Sequence, residues 1–336
     1  MHKATIRPLP RLNRRAVLTG ALAAPFFVMR AADANPTDCR SWVRELRREA
    51  LSRGVSARVF DAAMAEAPQP VERVLELDRR QPETTLTFPE YLARVVTPQR
   101  IETAIARYRE NQGVLARVGE RYGVQPRFIV ALWGIESNFG QLTGGFNVFA
   151  ALATLAYDGR RSQFFRGELF NALRIAEQQR ITPRDMRGSW AGAMGQCQFM
   201  PSSYLNFAVD FDGDGRADIW QSRPDVFASI ANYLSRSGWR GDETWGREVV
   251  LPAGFDAALV DHTRVQRSPA EWQALGVRRS DGGPMPAGPA AGIVQPDGAG
   301  GPAFFAYGNF RVILRWNRSF RFAIAVGILA DRVDAA

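Results

Sequence analysis

Cysteine is nearly absent, with two in 336 residues, and two thiols cannot form the dense disulfide framework that holds small secreted domains together. Cys39 and Cys197 either pair or remain free buried thiols, and the sequence leaves both open. No stretch is apolar for the roughly 20 residues that a membrane-spanning helix needs. Long charge runs of one sign are missing too, and 23% charged against 46% hydrophobic residues excludes wholesale disorder. No internal repeat is found. What remains is a folded globular chain, long enough for one large or two modest domains.

Residues 1–34 read as an export signal outside that fold. Lys3, Arg7, Arg11, Arg14 and Arg15 form a basic start, Ala16 to Met29 is a weakly apolar stretch of 14 residues, and Ala32-Asp33-Ala34 offers small residues for cleavage. Arg14-Arg15 followed by Val17-Leu18 also fits the twin-arginine route, so both that route and the general one stay open. Pro36-Thr37-Asp38 before Cys39 lacks the Leu-rich lipoprotein consensus, and a soluble periplasmic protein is expected. The segment carries six Lys or Arg and one acid, so the formal charge of +9 falls to +4 for a chain starting near Asn35. That mild basicity suits an anionic polymer and lacks the basic stripe of a nucleic-acid binder.

The remaining chain reads as mainly α, in an α+β arrangement. Apolar residues recur at three and four over Trp42–Leu51 and Ser56–Met64, with Gly54 between them and Ser56 as N-cap. Pro68, Pro70, Pro82 and Thr84-Thr85 predict an extended crossing segment over 68–88. Helical pattern resumes over Tyr91–Val96, Gln99–Tyr122 and Pro126–Asn138, with two more helices over Phe149–Gln179 and one over Pro224–Ser237. After Trp239 the composition changes: Val249-Val250-Leu251, a Gly- and Pro-rich run and Phe304-Phe305-Ala306-Tyr307 predict a small β-rich lobe over 246–310. A C-terminal helix over 311–336, with its pattern in Arg318–Val333, is expected to return to the helical region of 35–245.

Chemistry concentrates in three places. Glu136 stands in Phe128-Ile-Val-Ala-Leu-Trp-Gly-Ile-Glu136, among Ile129, Leu132, Trp133 and Ile135. Most glutamates lie on surfaces or in ion pairs. Apolar surroundings disfavour the charged carboxylate and raise its pKa toward the range of a general acid. Asp158, the obvious second carboxylate, lies next to Arg160 and Arg161, which would make it a structural ion-pair partner. Some fifty residues beyond Glu136 comes Gly188-Ser189-Trp-Ala-Gly192-Ala-Met-Gly195-Gln-Cys-Gln198. Its glycines either let backbone approach a polymer or serve as turns. Lastly, Asp210-Phe-Asp212-Gly-Asp214-Gly-Arg216-Ala-Asp218 has the spacing of an EF-hand loop, with Gly215 at position six but Gln221 at position twelve. The plainer reading is a sharp solvated acidic turn.

Together with Ala151–Tyr157, Gln198–Tyr204 and Phe310–Ser319, these motifs resemble the lytic murein transglycosylases of the B type, over essentially the whole chain after residue 34. The resemblance implies a lysozyme-like helical core. It implies that Glu136 is the sole catalytic acid and base, cleaving the β-1,4 bond between N-acetylmuramic acid and N-acetylglucosamine in peptidoglycan with 1,6-anhydro ring closure. Ser189, Gln198, Tyr91, Tyr204, Trp316 and Asn317 fall on family positions that contact glycan; aromatic faces suit sugar rings, or pack in the core. Trp316 stands where Tyr can occur, and Phe322 likewise lacks a hydroxyl. The resemblance also implies a structural calcium on Asp210, Asp212, Asp214 and Arg216, with Asp225 as a later ligand, and no cofactor for catalysis. The expected partners are glycan strands, and wall-synthesis complexes beyond them. Competing readings are a muramidase that adds water, which needs a second carboxylate, and a non-catalytic peptidoglycan-binding protein.

Overall fold

The computed structural model describes residues 36–79 and 86–335, so the segment read as an export signal lies outside the described residues. In chain order the helices before the first strand are α1 (Pro36–Ser52), α2 (Ala57–Ala65), α3 (Glu72–Arg79), α4 (Phe88–Val95), α5 (Pro98–Glu110), α6 (Gln112–Tyr122) and α7 (Pro126–Ser137). Strand β1 (Phe146–Asn147), α8 (Val148–Asp158), α9 (Ser162–Gln179), β2 (Arg187–Gly188), α10 (Pro201–Phe207) and α11 (Arg223–Arg236) complete the helical body. The lobe holds β3 (Gly246–Val250), α12 (Pro269–Ala274), β4 (Arg278–Arg279), β5 (Gly292–Val294) and β6 (Ala303–Ala306), and α13 (Gly308–Trp316) and α14 (Phe320–Asp334) follow it.

Two helices are apolar on nearly every side and are therefore enclosed by the others. In α7 every residue from Phe128 to Gly134 is buried, and in α8 every residue from Val148 to Ala156. α14, α5 and α11 pack against α7, and α9 covers α8 through Phe165, Leu169, Leu173 and Ile175, the stripe that its periodicity predicts. Pro126 opens α7 at a position where the missing N–H costs nothing. Gln125 before it donates to the carbonyls of Gly241 and Glu243 and accepts from the Trp239 indole.

Four segments differ from the sequence reading. Residues 68–88 are not extended throughout, because α3 forms between the prolines instead of across them. Its buried Asp78 accepts from both Arg160 and Arg161, so those arginines do not serve Asp158, which pairs instead with Arg79 at 3.4 Å. The helical run 99–122 breaks at Asn111, whose side chain turns back to the carbonyl of Arg107 at 2.8 Å. Beyond the lobe there are two helices rather than one, divided at Asn317 to Ser319, with Ser319 capping α14. Helix α10 has no counterpart in the sequence pattern. It is started by a distant carboxylate, Glu168 on α9, which accepts from the N–H and hydroxyl of Ser202 at 2.8 and 2.7 Å.

The lobe is a four-stranded antiparallel sheet in the order β4-β3-β6-β5. Strand alternation serves two cores at once. Phe304, Ala306 and Val294 join the helical body, whereas Phe305, Ile293 and Tyr307 join Trp272 and Val277 in the lobe's own core. Trp245, just before β3, lies across α14 where Gly327 leaves room: a Cβ there would come within 2.1 Å of the indole.

Burial pushes the Asp78 carboxyl up, but hydrogen bonds from Arg160 and Arg161 outweigh it and hold the group below the usual carboxylate range. Its contribution is therefore complete above about pH 4 and lost as pH falls through the depressed value. Because both arginines are about half exposed, Asp78→Asn is expected to cost about 1–2 kcal/mol near pH 7 and little at pH 2, measured by urea unfolding.

Candidate active site

Glu136 is the penultimate residue of α7, half-buried where the preceding seven-residue run is fully enclosed. The chain leaves the helix through a tight turn in which Asn138 and Phe139 both adopt left-handed backbone, at φ 48° and 59°. For an aromatic residue that conformation is costly and needs support. Support comes from Trp133, whose ring meets Phe139 edge-on at 5.4 Å, and from Gly134, where a Cβ would come within 2.6 Å of the Phe139 ring. Ser137, wholly buried, donates to the Trp133 carbonyl and accepts from the Gly140 N–H. Gln196 locks the same turn to the next segment, accepting from the Trp133 indole at 2.8 Å and donating to the Trp220 carbonyl at 2.7 Å.

Trp316, at the end of α13, donates its indole N–H to Oε1 of Glu136 at 2.6 Å. The resemblance puts this residue at a glycan position, with core packing as the alternative; the structure adds a bond to the carboxyl itself. Its ring is held by Tyr233 at 4.7 Å and Phe199 at 5.2 Å, and Tyr233 donates to the Arg315 carbonyl at 2.7 Å. With Oε1 accepting from the indole, a neutral carboxyl carries its proton on Oε2.

Gln198 immediately precedes Phe199 and adopts φ 49°, a third strained position around the site. Its amide donates to the carbonyls of Thr143 and Gly195 at 3.1 and 2.9 Å, leaving Oε1 as an acceptor. Ser189 accepts from the N–H groups of Ala191 and Ala193, so its hydroxyl proton remains available to donate. Asn317 follows Trp316 and turns Oδ1 to the Ser319 N–H at 3.0 Å. Tyr91 is half-buried on α4.

One expectation fails here, and one open alternative narrows. Tyr204 is buried, with its hydroxyl donating to the Ala217 carbonyl at 2.6 Å and its pKa pushed up by burial, so it is a core residue and not a sugar platform. Gly188, Gly192 and Gly195 face protein and not polymer: a Cβ on each would strike the Ala193 carbonyl, Leu152 and the Ile219 carbonyl. Cys39 and Cys197 are unjoined. Burial, with the charges of Glu136 and Asp225 added, pushes the Cys197 thiol well up, which leaves it without nucleophilic character.

In the acidic loop, carboxylate oxygens of Asp210, Asp212 and Asp214 lie within 4.8 Å of one another, all three residues exposed. Asp210 accepts from the N–H groups of Gly213 and Gly215, which folds the loop around them. Asp225 does not join the cluster. It is buried behind it, spent on the N–H groups of Phe211, Asp212 and Asp218. The Arg216 side chain pairs with Asp218 at 3.1 Å, so only its backbone could offer a ligand.

Sequence reasoning missed Gln196, Thr143, Phe199 and Tyr233 as supports of the site. Only Gln196 carried a signal, lying two places from Gln198 in the same Gly-rich motif.

A half-buried acid at the end of an enclosed helix, flanked by polar side chains with spare donors and acceptors, is the arrangement of a glycoside-cleaving enzyme. Residues 38–331 match the family described as Transglycosylase SLT domain. The chain is 32% identical over 278 residues to membrane-bound lytic murein transglycosylase B of Escherichia coli (strain K12), covering 79% of this chain and 75% of that protein. It is similar to the structure of SltB3 from Pseudomonas aeruginosa in complex with NAG-anhNAM-pentapeptide, at 44% identity and TM-score 0.84, over 89% of this chain and 80% of that one. It is also similar to Escherichia coli Slt35 in complex with calcium, at 28% identity and TM-score 0.75, over 87% and 92% of the two chains. The chain belongs to the B-type lytic transglycosylases, enzymes that cleave glycosidic bonds of peptidoglycan, and has their lysozyme-like fold.

A hydrogen bond to a charged group such as a carboxylate contributes about 1.5–3 kcal/mol. Trp316→Phe is therefore expected to lower kcat by about ten- to a hundred-fold with little change in KM. Trp316→Tyr, which restores a donor, should recover part of it in steady-state assays on purified sacculi.

Proposed function

We propose that Glu136 is the single general acid and base of this transglycosylase, acting on the β-1,4 bond between N-acetylmuramic acid and N-acetylglucosamine. The observation that carries this reading is the Glu136 carboxyl itself, half-buried at the end of α7 with Oε1 fixed by the Trp316 indole. In the neutral form it donates the Oε2 proton to the glycosidic oxygen as the bond to C1 of the muramic acid breaks. The resulting carboxylate takes the proton of the 6-hydroxyl, whose oxygen closes on C1 to give the 1,6-anhydro ring. No water is consumed. Asp158, the second carboxylate that a hydrolase would need, is engaged by Arg79. Ser189, Gln198 and Asn317 present uncharged donors and acceptors suited to N-acetyl and hydroxyl groups beside an oxocarbenium-like centre.

The site is carried by residues 35–245, with the lobe of 246–310 and the segment 311–336 returning Trp316 to it. The basic and apolar start, 1–34, fits export to the periplasm, where the polymer lies. Among the described residues no helix is long and apolar enough to cross a membrane.

The acidic loop fits a structural calcium held by Asp210, Asp212 and Asp214, since its oxygens already converge and its backbone is folded around them. Bound there, the ion would offset two of the three neighbouring negative charges and stiffen the segment between α10 and α11.

Glu136→Gln is expected to abolish release of anhydro-muropeptides from sacculi, by mass spectrometry, while the melting temperature stays within a few degrees of wild type. Reducing ends in place of anhydro ends would mean hydrolysis. Calcium at about a hundred times its Kd is expected to stabilise by about 2.7 kcal/mol, seen as a Tm rise of several degrees that Asp212→Asn removes.

A further inference from the structure

Helix α4 has little of its own to hold it in place. It is eight residues long, too short to persist alone, and Phe88 is its only fully buried side chain. Yet it carries Tyr91 in its first turn, where the Tyr91 N–H donates to the Thr87 carbonyl at 2.9 Å. The polar contacts at the two ends of the helix therefore decide where Tyr91 stands.

At the far end Arg100 on α5 donates to the Val95 carbonyl. At the start Glu90 accepts from the N–H and the hydroxyl of Thr87, both at 2.8 Å, which closes a capping box. The next N–H, that of Phe88, finds its partner outside the helix: it donates to Oδ2 of Asp297 at 2.7 Å, across 209 positions of sequence. Pro89 after it has no N–H to satisfy. The other oxygen of Asp297 accepts from Arg321, the second residue of α14, at 2.9 Å, and the two side chains are only 20% and 21% exposed.

Asp297 belongs to the lobe. It lies in the loop between β5 and β6, which Gln295 folds by donating to the Gly301 carbonyl at 3.0 Å and which turns through Gly298 and Gly300, at φ 81° and 86°. Phe304 on β6 meets the Phe88 ring edge-on at 5.5 Å. One carboxylate thus joins the lobe, α4 and the start of α14, and it lies at the end of α4 where the helix dipole favours negative charge. We propose that Asp297 is a positioning residue for glycan binding, setting α4 against α14 and so holding Tyr91 where the substrate meets it. α14 also packs on α7, which carries Glu136, so α4 is referred to the same frame as the acid. The proposal rests on peptidoglycan being the substrate and on Tyr91 contacting its glycan. Neither Glu136 nor its bond to Trp316 is involved, so binding changes and the chemical step does not.

The test compares wild type, Asp297→Ala, Asp297→Asn, Tyr91→Ala and the double variant Asp297→Ala/Tyr91→Ala. Each is assayed on soluble glycan strands and titrated calorimetrically with an N-acetylglucosamine tetramer. Asp297→Ala should raise KM and weaken tetramer binding about ten-fold, with kcat within about two-fold of wild type. Asp297→Asn keeps an acceptor for the Phe88 N–H and should recover part of the loss. In the Tyr91→Ala background the Asp297 substitution should add nothing to either quantity, the coupling expected when one residue acts through another. A lower melting temperature with KM and tetramer binding unchanged, a full additional loss in the Tyr91→Ala background, or a fall in kcat as large as the rise in KM would overturn the assignment. If Asp297→Ala does not fold, Asp297→Asn decides by the same readouts. Wild-type enzyme that binds the tetramer yet releases no anhydro ends would sink the transglycosylase mechanism instead, and the titrations would still decide the role of Asp297.

Discussion

The hydrogen bond from Trp316 to Glu136 joins residues 180 positions apart, and much of the fold is arranged to bring its ends together. α7 is fixed by its own burial, so the task falls on the C-terminal segment. Strand β6 presents Phe304 to the helical body and Phe305 to the lobe, which sets where α13 begins. α14 then runs back against α7, with Trp245 seated over Gly327 and donating to Asp331 at 2.9 Å. The lobe thus acts on the chemistry at a distance, through the position of one indole.

The turn after Glu136 is the second constraint. Asn138, Phe139 and Gln198 are non-glycine residues in left-handed backbone, clustered on the two segments that meet beside the acid. Each costs on the order of 1–3 kcal/mol when isolated. Here each is held by a partner: Asn138 by its bond to Gln141, Phe139 by Trp133 and the space at Gly134, Gln198 by its two bonds to Thr143 and Gly195. Such a turn cannot relax without releasing Gln196 from Trp133, which ties the carboxyl to the segment that carries the Gln198 acceptor.

What could be read from the sequence was whatever is local. The apolar circumference of α7 and α8, the stripe on α9, the cap at Ser56 and the alternating strands of the lobe all follow from neighbours within a few residues. α3 and α10 escaped because their causes are remote, a pair of arginines about 80 positions away and a carboxylate 34 positions away. The same limit applied at the site. Glu136 was singled out by its flanks and by family resemblance, and Ser189 and Gln198 by resemblance, and both of these keep spare hydrogen-bonding capacity in the structure. Tyr204 and Asp225 were misjudged because polarity says nothing of direction: both turn their oxygens onto backbone inside the protein.

The carboxylates show how environment, and not residue type, divides the labour. Asp78 is buried against two arginines and kept charged, which makes it a clamp on α3. Asp225 is buried against backbone N–H groups; desolvation outweighs those bonds and pushes its pKa up, which makes it a scaffold for the acidic loop. Asp210, Asp212 and Asp214 are exposed and crowded, an arrangement relieved by a cation. Glu136 differs from all of these in accepting from a neutral indole that offers one N–H and nothing else. That partner holds one oxygen in place without adding a charge of its own, which suits the proposed role of giving up a proton and then taking one back.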